Sequence, residues 1–237
     1  RALFEGFQQS SMSEPGEPIV FTIPPLSFCI ADFRTFRNAD TMTLLGRSNL
    51  QKVLTWTEDV AAQKYFGVFV SGQSMFQEKS DPFLNYGDHS LAAYKEYPEI
   101  IRSLNRLARS GREVLLLTGD VHWGRVTEAR DPANPAPLMY EVISSPVAVI
   151  PPPPTLPFFF SSDKVWPDHE DPMDVPRIHT FEGLGGAFVC STYRKQKGNH
   201  VAVLSFRQAG FGLDAKITYF PIHAEQRYCE PVEVSLP

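Results

Sequence analysis

The chain has 237 residues, 43% of them hydrophobic and 21% charged, ample for a sizeable core in one domain or a large part of one. A net charge of −5 leaves no basic footprint for nucleic acid, and no apolar run approaches the ~20 residues of a membrane span. Three widely separated cysteines, Cys29, Cys190 and Cys229, argue against a disulfide framework, and no CxxC pair suggests a zinc site.

Residues 1–18 are polar and turn-rich, ending in Pro15-Gly16-Glu17-Pro18. Arg1 is not followed by a charged-then-apolar signal segment, so the native N-terminus is expected to be missing, and compartment cannot be read from it. "PLSFCIADFRTFRN" predicts a strand from Leu26 to about Ala31, ending at Asp32. "NLQKVLTWTEDVAAQK" places Leu50, Val53, Leu54, Thr57, Val60 and Ala61 on one helical face. "YFGVFVSGQ" reads as a second strand, Phe66 to Val70, running into Ser-Gly-Gln. After a polar loop, "YPEIIRSLNRLARSG" predicts a second amphipathic helix, with Pro98 in its first turn, Ile101, Leu104 and Ala108 stacked, and Gly111 at the stop. "VLLLTGD" is the third strand. Strand, helix, strand, helix, strand with near-continuous apolar strands indicates a largely parallel sheet covered by helices.

Beyond His122 the pattern changes. "RVTEAR" and "LMYEVISS", separated by "DPANPAP", read as a hairpin, and "PPPP" at 151–154 as a stiff extended stretch. Residues 155–187, rich in Pro and Gly, read as a long loop. "HVAVLSF" and "AKITYFPI" then make an antiparallel pair around "RQAGFGLD". There is no internal repeat.

Three strands end in polar groups: Asp32 with Arg34 and Arg37, Ser71 with Gln73, and Asp120 with His122. Ligands of open α/β sheets bind beyond the carboxyl ends of parallel strands, so three polar tips converging there carry more than any one alone. Asp120 and His122, two apart on an extended stretch, project to one side and suit zinc, iron or manganese; the plainer alternative is an Asp capping a turn beside a hydrogen-bonded His. Arg34 and Arg37 have the fork that grips phosphate, or else form a surface ion pair at a strand end. Ser71 lies outside a G-x-S-x-G elbow, and no His and acid can be assigned to it. The acidic run "VWPDHEDPMD" at 165–174 reads as solvated loop, and His89, His179, His200 and His223 as satisfied polar residues. His200, at a strand start, has a second reading, as a residue pointing back towards the tips.

Taken in order, "IADFRTFRN", "FVSGQSMF", a loop Asp ahead of "AAYKEYPEII", "LLLTGDVHWGRV" and "YEVISSP" resemble the alkaline phosphatase D-like (PhoD-like) members of the calcineurin-like metallophosphoesterases. The resemblance covers roughly residues 1–150, with "NHVAVLSF" a looser match near the family's C-terminus. It implies a four-layer α/β/β/α sandwich, mixed sheets flanked by helices. It also implies a two-metal site (iron, zinc, manganese or calcium) that holds phosphoryl oxygens and generates a hydroxide nucleophile. Carried over, His122 is a metal ligand, Asp120 the acidic residue beside it, Asp32 and Arg34 lie near the substrate, and Gln73 lines the pocket. Many relatives are exported, which makes a periplasmic or extracellular setting an expectation of the family.

The family's earlier ligands, including a W-D-D-H-E-like motif, do not occur before Asp32; "WPDHE" at 166–170 follows "GDVH" and has Pro at its second position, so it reads as coincidence. The chain therefore reads as the C-terminal part of one metallophosphoesterase domain: a strand and helix core at 1–150, a Pro-rich loop at 151–187, and a terminal strand pair at 188–237. The expected function is hydrolysis of a phosphate ester, completed by the missing N-terminal half or a partner chain. The alternative is a non-catalytic binding or structural module on the same fold.

Overall fold

A computed structural model of the chain describes residues 16–38, 40–76, 91–119, 124–131, 134–144, 177–180, 187–196, 200–221 and 231–236. Strands β2 (Leu26–Ala31), β3 (Phe66–Ser71) and β4 (Val114–Thr118) lie side by side in parallel. Helices α1 (Arg47–Gln63) and α2 (Tyr97–Arg109) lie between them in sequence. A mixed sheet of eight strands grows around this parallel centre. Strand β1 (Ile19–Ile23) adds antiparallel to β2 at one edge. On the other side β6 (Asn134–Ile143) lies parallel to β4, followed by β5 (Gly124–Asp131), β8 (Ala187–Gln196) and β7 (Arg177–Thr180), each antiparallel to its neighbour. A separate antiparallel sheet has the order β11 (Val232–Leu236), β10 (Gly212–Pro221), β9 (His200–Ala209).

Two apolar clusters show how the layers stack. Val53, Trp56, Val60, Ile100, Ile101 and Leu104 of the helices pack on Cys29, Phe69, Val114, Leu116 and Met139 of the large sheet. On the opposite face Leu26, Val68, Leu115, Tyr140 and Val142 meet Leu213, Ala215, Ile217, Tyr219 and Val234 of the small sheet. The result is a mixed α/β fold of helices, large sheet and small sheet, with the central strands buried on both faces. This is why their sequences run apolar rather than alternating.

The helices form where periodicity places them. Pro98 sits in the first turn of α2, and the predicted Ile101, Leu104 and Ala108 are all buried, joined by Tyr97, Ile100 and Leu107. In α1 the buried face is Val53, Trp56, Thr57 and Val60, so it is rotated towards Trp56 relative to the predicted stripe. Trp56 can be buried because its indole N–H donates to Ser27 Oγ at 3.1 Å. Truncating a fully buried residue such as Ile100 or Leu104 to Ala costs about 2–5 kcal/mol.

The second half departs from the sequence reading. The hairpin is longer than predicted: most of "DPANPAP" joins the strands, with register shifts around Arg130 that absorb the irregular stretch. The region read as loop from 155 to 187 contains β7 at Arg177–Thr180. The terminal strands are more than a pair. Strand β8 returns to the large sheet beside β5, and β11 adds a third strand to the small one. These strands are short or paired far along the chain, so local pattern does not announce their partners. Among the described residues, no helix is long and apolar enough to cross a membrane.

Candidate functional site at the strand tips

Parallel register brings the polar tips together. Ala31 of β2, Ser71 of β3, Thr118 of β4 and Ile143 of β6 are aligned in adjacent strands. Asp32, Gly72-Gln73, Gly119 and Ser144 therefore leave the sheet along one edge. The Ser144 amide donates to the Thr118 carbonyl at 3.0 Å, extending the row by one residue. Asp120 and His122 follow Gly119 directly but lie outside the described residues, as do "PPPP" and "WPDHE".

Asp32 organises its own turn. Its Oδ1 accepts from the Arg34 amide at 2.7 Å and the Thr35 amide at 3.1 Å, and its Oδ2 accepts from the Thr35 hydroxyl at 2.5 Å. Burial pushes the Asp32 carboxyl up, but these donors and the Arg34 charge outweigh it and hold it below its ordinary value. The Arg34 side chain is exposed on that turn. Arg37 turns instead to Tyr94, lying 4.8 Å over its ring and donating to its hydroxyl.

Ser71 donates its hydroxyl to the Gln73 carbonyl at 2.8 Å, shaping the β3 turn. Gln73 is only 7% exposed, and its Oε1 has no hydrogen-bond partner among the described residues. A buried acceptor left unmatched costs about 1–3 kcal/mol, so this oxygen suits a donor or cation at the tips. The carboxylate and imidazole that the sequence puts at positions 120 and 122 are donor types that suit a first-row divalent metal, and both residues lie outside the described part of the chain. Among the described residues themselves, no group of three or more His, Cys, Asp or Glu could hold one.

Two further features lie at this edge, the first missed by the sequence reading and the second named there only as a histidine at a strand start. The first is Glu141, read there as one position of a hairpin strand. It is fully buried and forms an ion pair with buried Arg125 at 2.9 Å. Its oxygens accept from the Ser74 hydroxyl and the Met75 amide of the β3 turn at 2.9 and 2.5 Å. The only signal available was a charge within an otherwise apolar strand. The second is His200. It is 3% exposed and packs edge-on to Tyr219, with ring centroids 5.1 Å apart. Both rings lie against Gly124, the first residue of β5. The Tyr219 hydroxyl lies 2.8 Å from the Ile143 carbonyl and 3.0 Å from that of Arg125, pinning the small sheet to the same edge.

The fold and edge geometry define a class no finer than a mixed α/β protein with a large mixed sheet and a second, antiparallel sheet. No family model matches the chain, and no curated protein sequence matches it. Among solved structures it is similar to GAP50, the anchor in the inner membrane complex of Plasmodium, at a TM-score of 0.42 and 10% identity. That superposition covers 93% of this chain and 53% of the other, so this chain spans about half the length of that protein. A likeness this slight carries no functional argument.

Proposed function

We propose that the chain is part of a metal-dependent phosphoric ester hydrolase of the PhoD-like type. The observation that carries this reading is the register of β2, β3, β4 and β6, which lines up Asp32, Gln73 and the stem of the Asp120–His122 segment on one edge. In this reading His122 and Asp120 hold a metal, Gln73 offers its amide oxygen beside them, and Arg34 binds the substrate phosphate while Asp32 keeps the Arg34 turn in shape. Bound divalent metals supply charge neutralisation and an activated water to such a site. A phosphomonoester, a phosphodiester or a polymer are all compatible substrates. The four-layer sandwich belongs to the same reading. Val201, Val203 and Phe220 leave an apolar patch on the outer face of the small sheet, 53%, 44% and 43% exposed, which suits a further covering layer.

The test is metal content and hydrolysis of p-nitrophenyl phosphate or its bis-ester by the longest natural form of the protein. Stoichiometric divalent metal is expected, with activity falling at least roughly 100-fold in His122→Ala, more than the loss of an outer partner costs. Unchanged activity in that variant removes His122 from the mechanism. A second reading, a non-catalytic binding module, draws on the edge strand β1, where Val20, Phe21 and Ile23 are 49%, 40% and 60% exposed. A metal-free, inactive protein favours it.

A further inference from the structure

We propose that Glu141 and Arg125 are positioning residues: one buried ion pair that holds both stems of the Asp120–His122 segment and the turn that carries Gln73. What the segment does rests on the phosphoesterase reading; how it is held does not. Five donors from three separate stretches converge on the Glu141 carboxylate. Thr118, the last residue of β4 before the segment, points its hydroxyl at Oε1 from 3.4 Å. Arg125, one residue past Gly124 where the segment ends, donates to Oε2 at 2.9 Å. From the Gln73 turn, Oε1 accepts the Met75 and Phe76 amides at 2.5 and 3.4 Å, and Oε2 the Ser74 hydroxyl at 2.9 Å. Arg125 closes the loop by reaching back to Ser74 Oγ at 3.1 Å and the Phe76 carbonyl at 3.4 Å.

Packing alone does not call for this arrangement. An apolar pair of similar volume fills buried space at lower desolvation cost, so a buried ion pair is weak evidence of a stabilising purpose. What a carboxylate adds is convergence: two oxygens can take backbone amides from one turn and side-chain donors from two strands at once. The Tyr97 hydroxyl donates to the Met75 carbonyl from α2, so the same turn is also held from the helix layer. The consequence is that the tips of β3 and β4 and the start of β5 keep a fixed mutual geometry, which a site assembled from those tips requires.

The conservative variant Glu141→Gln cannot be accommodated by turning the amide. At either oxygen position the new NH2 faces an N–H donor, Arg125 on one side or Met75 and Phe76 on the other. Hydrogen exchange by mass spectrometry on the full chain is the test, with Arg125→Lys as a second variant. Exchange over residues 72–76 and 118–125 is expected to rise about tenfold while helix α2 and strands β9–β10 stay protected, the signature of a local opening. Manganese affinity by calorimetry is expected to fall at least tenfold in the same variants. Uniform acceleration along the chain, or failure of both variants to fold, makes the pair a fold element only and overturns the proposal. So does wild-type exchange in the two stems, or wild-type metal affinity despite their opening. If the parent protein binds no metal, the phosphoesterase reading falls, and the exchange result alone decides whether the clamp exists.

Discussion

Replacing Gly124 by alanine adds one methyl group at the point where the two sheets meet at the candidate site. That Cβ would lie 2.7 Å from His200 Nε2, 2.9 Å from Tyr219 Cε1 and 3.0 Å from His200 Cε1. Non-bonded heavy atoms settle at about 3.5 Å or more, so the nearest contact is roughly 0.8 Å too short. Neither ring retreats freely. Tyr219 is tethered through its hydroxyl to the Ile143 and Arg125 carbonyls, and His200 is 3% exposed against it. Overpacking of this kind costs about 1–3 kcal/mol, and the gain of about 0.4–1 kcal/mol from stiffening the unfolded chain offsets only part of it. A net loss of about 1–2 kcal/mol follows, read as a lower midpoint in urea at unchanged slope. In a His200→Ala background the same substitution is expected to cost less, with a coupling of about 1 kcal/mol. A Gly124→Ala protein as stable as its parent, or additivity in the cycle, refutes the close packing of His200 on Gly124.

Three further outcomes follow from burial and hydrogen bonding. Burial pushes Glu113 up to about 7, against partial relief from its own backbone hydrogen bond and Arg112. A carboxyl raised this way destabilises the fold as pH climbs from its ordinary 4.5 to about 7, so Glu113→Gln should gain roughly 1 kcal/mol over the parent across that window after allowance for solvent screening; a pH-independent difference in thermal midpoints contradicts this. Asp32→Ala is expected to cost about 1 kcal/mol at neutral pH, with the gap to the parent closing below the ordinary 3.8, because a depressed carboxyl loses its contribution as it is protonated; a gap that persists in acid denies the turn's dependence on the carboxylate. Burial raises the thiols of Cys29 and Cys190 to about 12, so neither should react with Ellman's reagent in the native state, and prompt labelling of either peptide would show that the core opens there.

What the sequence determined by itself is the alternating centre of the fold. Apolar runs at Leu26–Ala31, Phe66–Ser71 and Val114–Thr118, separated by two amphipathic stretches, leave little choice but parallel strands under helices. The polar residues closing those runs follow from the same pattern, because strand tips emerge at one edge of such a sheet. Only the tertiary structure decided that β7 and β8 return to the large sheet, that Trp56 turns inward onto Ser27, and that Ser71 is engaged in shaping its turn. The same holds for Glu141, whose partner Met75 is 66 positions away, and Tyr219, whose hydroxyl reaches a carbonyl 94 positions away. Periodicity reports which face of a local element is apolar. It carries no record of which distant donor a buried carboxylate will meet, since that is settled by the register of strands whose pairing depends on the whole sheet.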